Sequence, residues 1–171
     1  MAQNALVFDA STAILLAKVG LLRQVVAKGE VWIGETAAAE AMAKQSDDAL
    51  AIANLIQEGH IRPVDLKEIT RGLMSDFRLG PGEAEAIVLA RQKNALCATD
   101  DGPAIRCCKV LGVPFATAIG FLIALAESGE LDVALALELL SKLERFGRYR
   151  ARILEDAARR IRDIVTDGEK Q

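Results

Sequence analysis

The stretch Ala5-Leu6-Val7-Phe8-Asp9-Ala10-Ser11 constrains the fold more than any other. Its apolar run reads as a buried strand, and a carboxylate stands where that strand must stop. In open α/β sheets, ligands bind beyond the carboxyl ends of the strands. A second junction of this kind is Ala95-Leu96-Cys97-Ala98-Thr99-Asp100-Asp101. On neighbouring parallel strands the two would set carboxylates side by side. Such a cluster suits a hard divalent cation.

The intervening sequence alternates strand and helix signals, which predicts a parallel sheet with right-handed crossovers. After Asp9, Ser11 is a candidate N-cap for a helix over residues 12–19, and a short helix follows over 21–28. Val31-Trp32-Ile33 reads as a buried strand closed by Gly34. Residues 35–44 are Ala-rich and helical in propensity. Ser46, Asp47 and Asp48 cap a helix over 49–57. The extended piece 61–66 contains Pro63, which suits an edge. Residues 67–77 form a further helix. Leu79-Gly80-Pro81-Gly82 then turns into a helix opened by Glu83 and Glu85, where the dipole favours acids. The interior of that helix, 86–90, is apolar on every side and so is expected to be buried. A strand over 95–98, a helix over 103–111, a strand over 113–116 and a helix over 118–127 packed on the sheet complete a core domain over residues 1–130. Helices over 131–143 and 149–165, parted by Gly147, make an extension, 131–171, packed on the same domain. The polar tail after Thr166 is expected to fray.

Bulk numbers bound the function. A chain of 171 residues holds one domain with a real core, and 51% hydrophobic content argues against disorder. A net charge of −3 is not that of a strongly basic nucleic-acid binder, so any such affinity needs a local basic patch or bound metal. The apolar start carries Asp9 and lacks a preceding basic region, unlike a signal peptide. The run 110–126 is short for a membrane span and is broken by Gly112, Pro114 and Gly120. Three cysteines fit a reducing cytoplasm and buried thiols rather than a disulfide framework. His60 is the only histidine, which leaves carboxylate chemistry and excludes histidine triads.

Each acid has an ordinary explanation. Asp9, Asp100 and Asp101 could cap helices. Glu83 and Glu85 sit in a helix's first turns, and about 200° of rotation between them predicts that at most one enters a shared cluster. Glu40 stands one turn from Lys44, the spacing of a surface ion pair. Together they are less ordinary, because packed like charges repel unless a cation compensates them.

In their order and spacing, Val7-Phe8-Asp9-Ala10-Ser11, the Glu40 helix, Leu79-Gly80-Pro81-Gly82-Glu83-Ala84-Glu85-Ala86-Ile87 and Thr99-Asp100-Asp101 resemble the PIN-domain nucleases, the fold of VapC-type toxins. The resemblance covers about residues 4–125. It implies a three-layer α/β fold, a central parallel sheet flanked by helices, here with extra C-terminal helices. It further implies a metal-dependent endoribonuclease that uses Mg2+ or Mn2+ and leaves 5′-phosphate and 3′-hydroxyl ends. By position, Asp9 is the first metal ligand, Glu40 the second acid and Glu83 the third, and Asp100 or Asp101 completes the site. Ser11 and Thr99 would orient water or a ligand carboxylate. The family commonly has Asp at the third position, whereas this chain offers Glu83 and Glu85.

The resemblance also implies an RNA substrate, a toxin-like role and a small antitoxin partner. The apolar helices suggest a homodimer. Between residues 142 and 162 lies the most basic region, with Lys142, Arg145, Arg148, Arg150, Arg152, Arg159, Arg160 and Arg162 against Glu144, Glu155 and Asp156. It reads either as a solvated helix face or as an RNA-phosphate surface. A non-catalytic PIN-like interaction module is the alternative function. An aspartyl phosphatase is disfavoured, because Ser11 stands where a second Asp would be wanted.

Overall fold

The computed structural model describes residues 5–66 and 71–168, with side chains to residue 164. The chain divides into two compact units, Met1–Thr117 and Ala118–Gln171. In the first, β1 (Ala5–Phe8), α1 (Ala10–Lys18), α2 (Leu22–Val26), β2 (Glu30–Gly34), α3 (Glu35–Ala41), α4 (Asp47–Gln57) and β3 (Arg62–Val64) come before α5 (Arg71–Phe77). Then come α6 (Pro81–Lys93), β4 (Leu96–Ala98), α7 (Gly102–Leu111) and β5 (Phe115–Ala116). Residues 67–70 of the helix expected over 67–77 lie outside the described residues.

The described strands form one parallel sheet in the order β3-β2-β1-β4-β5. The chain moves from β1 outward to β3, then crosses back to set β4 on the other side of β1. Right-handed crossovers therefore put the helices of the first half on one face and α6 and α7 on the other. Alternation along the strands matches this. Val7, Trp32 and Cys97, paired across the sheet, join one cluster with Ala84, Ile87, Leu89, Cys107 and Cys108. Leu6, Phe8, Val31 and Ile33 are equally buried but point the other way. Helix α6 packs across β1, β2 and β4, and α1 packs on α3 and α4. The result is a three-layer α/β unit. Residues 84–90 are all buried, which accounts for a helix with no polar face in its middle.

Several boundaries differ from expectation for local reasons. Helix α1 starts at Ala10 because Asp9, not Ser11, is its N-cap. Helix α3 stops at Ala41 rather than at residue 44. Asp132 caps α9 and moves its start to Val133, its carboxylate accepting from Leu135 N at 2.8 Å. Val113 closes α7 instead of opening β5, its N–H donating to the Cys108 carbonyl at 2.9 Å. Pro63 lies in β3, at the sheet's edge, where its missing N–H costs no ladder bond.

In the second unit, α8 (Ala118–Glu127), α9 (Val133–Phe146) and α10 (Ala151–Gly168) pack on one another. Helix α10 extends past residue 165, where the sequence pattern placed its end. Among the described residues, no helix is long and apolar enough to cross a membrane. All three cysteines are free and buried. A hydrogen bond with Cys108 and burial hold the Cys97 thiol well above the usual range, and burial also raises Cys107. At these two positions the thiolate is disfavoured, whereas the hydrogen bond with Cys97 lowers Cys108.

Candidate active site

The strand order reverses between β1 and β4, so their carboxyl ends border the crevice that such sheets use for ligands. The register brings Phe8 level with Ala98, and Asp9 N donates to the Ala98 carbonyl at 3.0 Å. Asp9 therefore emerges beside Thr99 and Asp100. Its side chain is only 1% exposed. Oδ1 accepts from Thr12 N at 2.9 Å and from Ser11 Oγ at 3.0 Å, and Oδ2 accepts from Thr99 Oγ1 at 2.5 Å. The Thr12 hydroxyl donates to Asp100 Oδ2 at 2.7 Å. One threonine thus ties the two aspartates together.

Burial pushes the Asp9 carboxyl from 3.8 up to about 6. That net rise includes an opposing pull from the bonds of Thr99, Thr12 and Ser11 and a smaller push from the charge of Asp100. A carboxylate has about four lone-pair sites. The three donors on Asp9 leave room for one more partner. A buried carboxylate raised in this way, with a second acid beside it, fits a cation as that partner.

The glutamates gather at the start of α6. Gly82 gives Glu40 its place: a Cβ there would stand 2.7 Å from Glu40 Oε2. Partial burial raises the Glu40 carboxyl, and the charges of Glu83 and Glu85 raise it further. Both glutamates therefore act on Glu40, although their positions on the helix point apart. Glu83 folds back over Gly80. Glu85 is 7% exposed and accepts from Thr36 N at 3.0 Å and Thr36 Oγ1 at 2.5 Å. It supplies from a distance the capping acceptor that Gly34, the N-cap of α3, lacks. Among the described residues Glu40 makes no ion pair with Lys44, because α3 ends before that turn is complete.

Asp101 caps α7, its Oδ2 accepting from Ala104 N at 2.9 Å, and its backbone N–H donates to Thr99 Oγ1 at 3.2 Å. The six acids therefore stand as an aspartate pair, a glutamate group and a cap. Among the described residues no three of His, Cys, Asp or Glu are grouped to hold a metal ion. Magnesium usually takes only one or two carboxylates, with water and phosphate oxygens filling the rest. The Asp9–Asp100 pair meets that requirement. Sequence reasoning missed Thr12 and Thr36. The available signal for Thr12 was its position three residues after a capping Asp.

Gly34→Ala tests the buried Glu85 contact. Its methyl would stand 2.9 Å from Glu85 Cβ and overlap Oε2. A loss of about 1–3 kcal/mol is expected, read as a drop in the urea midpoint. Gly72→Ala, with nothing within 4 Å of the new methyl, is expected to be neutral or slightly stabilising. Equal midpoints for the two variants would contradict this packing.

The family model that matches residues 5–163 is described as a PIN domain. PIN domains are typically nucleases. Comparison with curated proteins and with solved structures gives no match. With the parallel sheet and its strand-end aspartates, a match over nearly the whole chain shows that the chain belongs to the PIN-domain family.

Proposed function

We propose that this PIN domain is a metal-dependent endoribonuclease that hydrolyses RNA phosphodiester bonds at the Asp9–Asp100 crevice with Mg2+ or Mn2+. The observation that carries the reading is the buried Asp9, joined through Thr12 to Asp100 where the strand order reverses. Asp9 and Asp100 hold the ion, and Thr12, Ser11 and Thr99 fix the carboxylate of Asp9. When bound, the ion activates water and neutralises charge developing on the phosphate. Glu40 and Glu83 form the second acidic wall. Glu40, with its raised carboxyl, takes up a proton more readily than an ordinary glutamate does. Asp101 is the outer acid beside Asp100. Glu85 is a structural residue, since Thr36 occupies its oxygens.

A toxin-like role under a small inhibitory protein belongs to the same reading. Charge supports an inhibitor that inserts a basic side chain among these acids. The test is cleavage of a 5′-labelled single-stranded RNA with Mg2+, with Mn2+ and with EDTA. Products with 5′-phosphate and 3′-hydroxyl ends, formed with either metal and absent in EDTA, are expected. Cleavage that persists in EDTA would contradict the reading. No cleavage with either ion would leave a PIN-like interaction module.

A further inference from the structure

The corner between α9 and α10 carries Arg145-Phe146-Gly147-Arg148-Tyr149-Arg150-Ala151-Arg152. Four arginines fall within these eight residues, with no acid among them. All four are exposed, and none makes an ion pair among the described residues. Two of the later arginines of α10 differ. Arg159 pairs with Asp156, and Arg160 reaches Glu127 at 3.4 Å. Arg145, in the last turn of α9, suits that helix's negative end, but the charges at the start of α10 do not help the fold. Arg150 and Arg152 flank the start of α10, whose first turn holds no acid, and cations beside a helix's positive end are unfavourable.

The two aromatics of the corner are placed differently. Tyr149 lies over Gly147, filling the space a Cβ would take, so it packs the turn. Phe146 is 48% exposed, a large apolar ring at the surface among arginines. Guanidinium groups that follow a phosphate backbone, next to a ring on which a base stacks, are the elements of single-strand recognition.

We infer that the α9–α10 corner of the second unit binds single-stranded RNA, with Arg145, Arg148, Arg150 and Arg152 on the phosphates and a base stacked on Phe146. This surface goes beyond the hydrolysis proposed for the acidic crevice. Binding measured in EDTA reads it whether or not the chain cleaves RNA.

The experiment is fluorescence anisotropy of labelled oligouridine with the full chain in EDTA, over a range of salt. Replacing Arg148, Arg150 and Arg152 together with Gln should weaken binding at least about tenfold and lower the salt slope by about 2, from about 0.7 per phosphate contact. Phe146→Ala should weaken binding about 5- to 100-fold, the usual worth of one stacked base, and leave the salt slope unchanged. Replacing the paired Arg159 and Arg160 with Gln should change little. Melting curves check that each variant is folded. Wild-type affinity in both corner variants would overturn the inference, as would an equal loss from Arg159 and Arg160. Preference for duplex RNA, or binding to phosphatidylserine vesicles but not to oligouridine, would also overturn it.

Discussion

Asp9→Asn is expected to abolish metal-dependent RNA cleavage while raising the melting temperature of the metal-free protein at neutral pH. Loss of a ligand's outer partner alone typically costs about 10–100-fold in metal affinity, so loss of the ligand carboxylate should reduce cleavage at least about 100-fold. The stability effect has the opposite sign because the native site favours a protonated Asp9. Its carboxyl titrates near 6 in the fold against 3.8 as the ordinary value. For a group raised in this way, the contribution to stability is fully present below the unfolded pKa and is lost as pH rises through the folded one. Between about pH 4 and pH 6 the metal-free wild type should therefore lose up to about 3 kcal/mol from this group. Asparagine carries no charge to bury. Its Oδ1 can keep the bonds from Thr12 N and Ser11, and Thr99 can turn its hydroxyl to accept from the amide. At pH 7.5 a rise of several degrees is expected, at about 2–4 °C per kcal/mol for a chain of this size. Melting curves of both proteins at pH 4.5 and 7.5 in EDTA check it. A fall in melting temperature for Asp9→Asn at pH 7.5 would show that charge burial is not what raises this carboxyl.

The largest stability loss is expected from Ile87→Ala. Ile87 is fully buried in the middle of α6, in the cluster that joins this helix to Val7 and Cys97 of the sheet. Truncation leaves a cavity on a helix with no polar face through which to relax, at a cost of about 2–5 kcal/mol. The melting temperature should fall by about 4–20 °C. Val110→Ala, at a side chain that is 71% exposed, should stay within about 0.5 kcal/mol of wild type. Cleavage should also weaken in Ile87→Ala below its melting point, because α6 carries Glu83 and Glu85 at its start. A loss no larger than that of Val110→Ala would mean that α6 is not the core element described.

What was legible in the sequence was what a few neighbouring residues determine. The strand-then-acid junctions at Asp9 and Asp100 followed from apolar runs ending in carboxylates, and parallel pairing brought them together. The buried character of α6 followed from its apolar interior. The remainder depended on contacts between distant segments. Glu85 reads as a first-turn acid, yet it caps α3 through Thr36, 49 residues away in sequence. Glu40 has the spacing of an ion pair with Lys44, but α3 ends at Ala41 and the side chain lies over Gly82 instead. Asp101 looks equivalent to Asp100 until their partners are known: a helix N–H for one, the Thr12 hydroxyl for the other. Likewise, composition marked the C-terminal arginines as one basic region. Only the ion pairs of Arg159 and Arg160 set those two apart from the corner arginines, which make no ion pair among the described residues.

The most direct test of the aspartate pair as an ion site is a Mn2+ titration followed by electron paramagnetic resonance, for the wild type, Asp9→Asn and Asp100→Asn. Loss of the free Mn2+ signal on adding wild type, but not on adding either folded variant, is the expected result. Equal Mn2+ binding by all three proteins would contradict the assignment of the metal to this crevice.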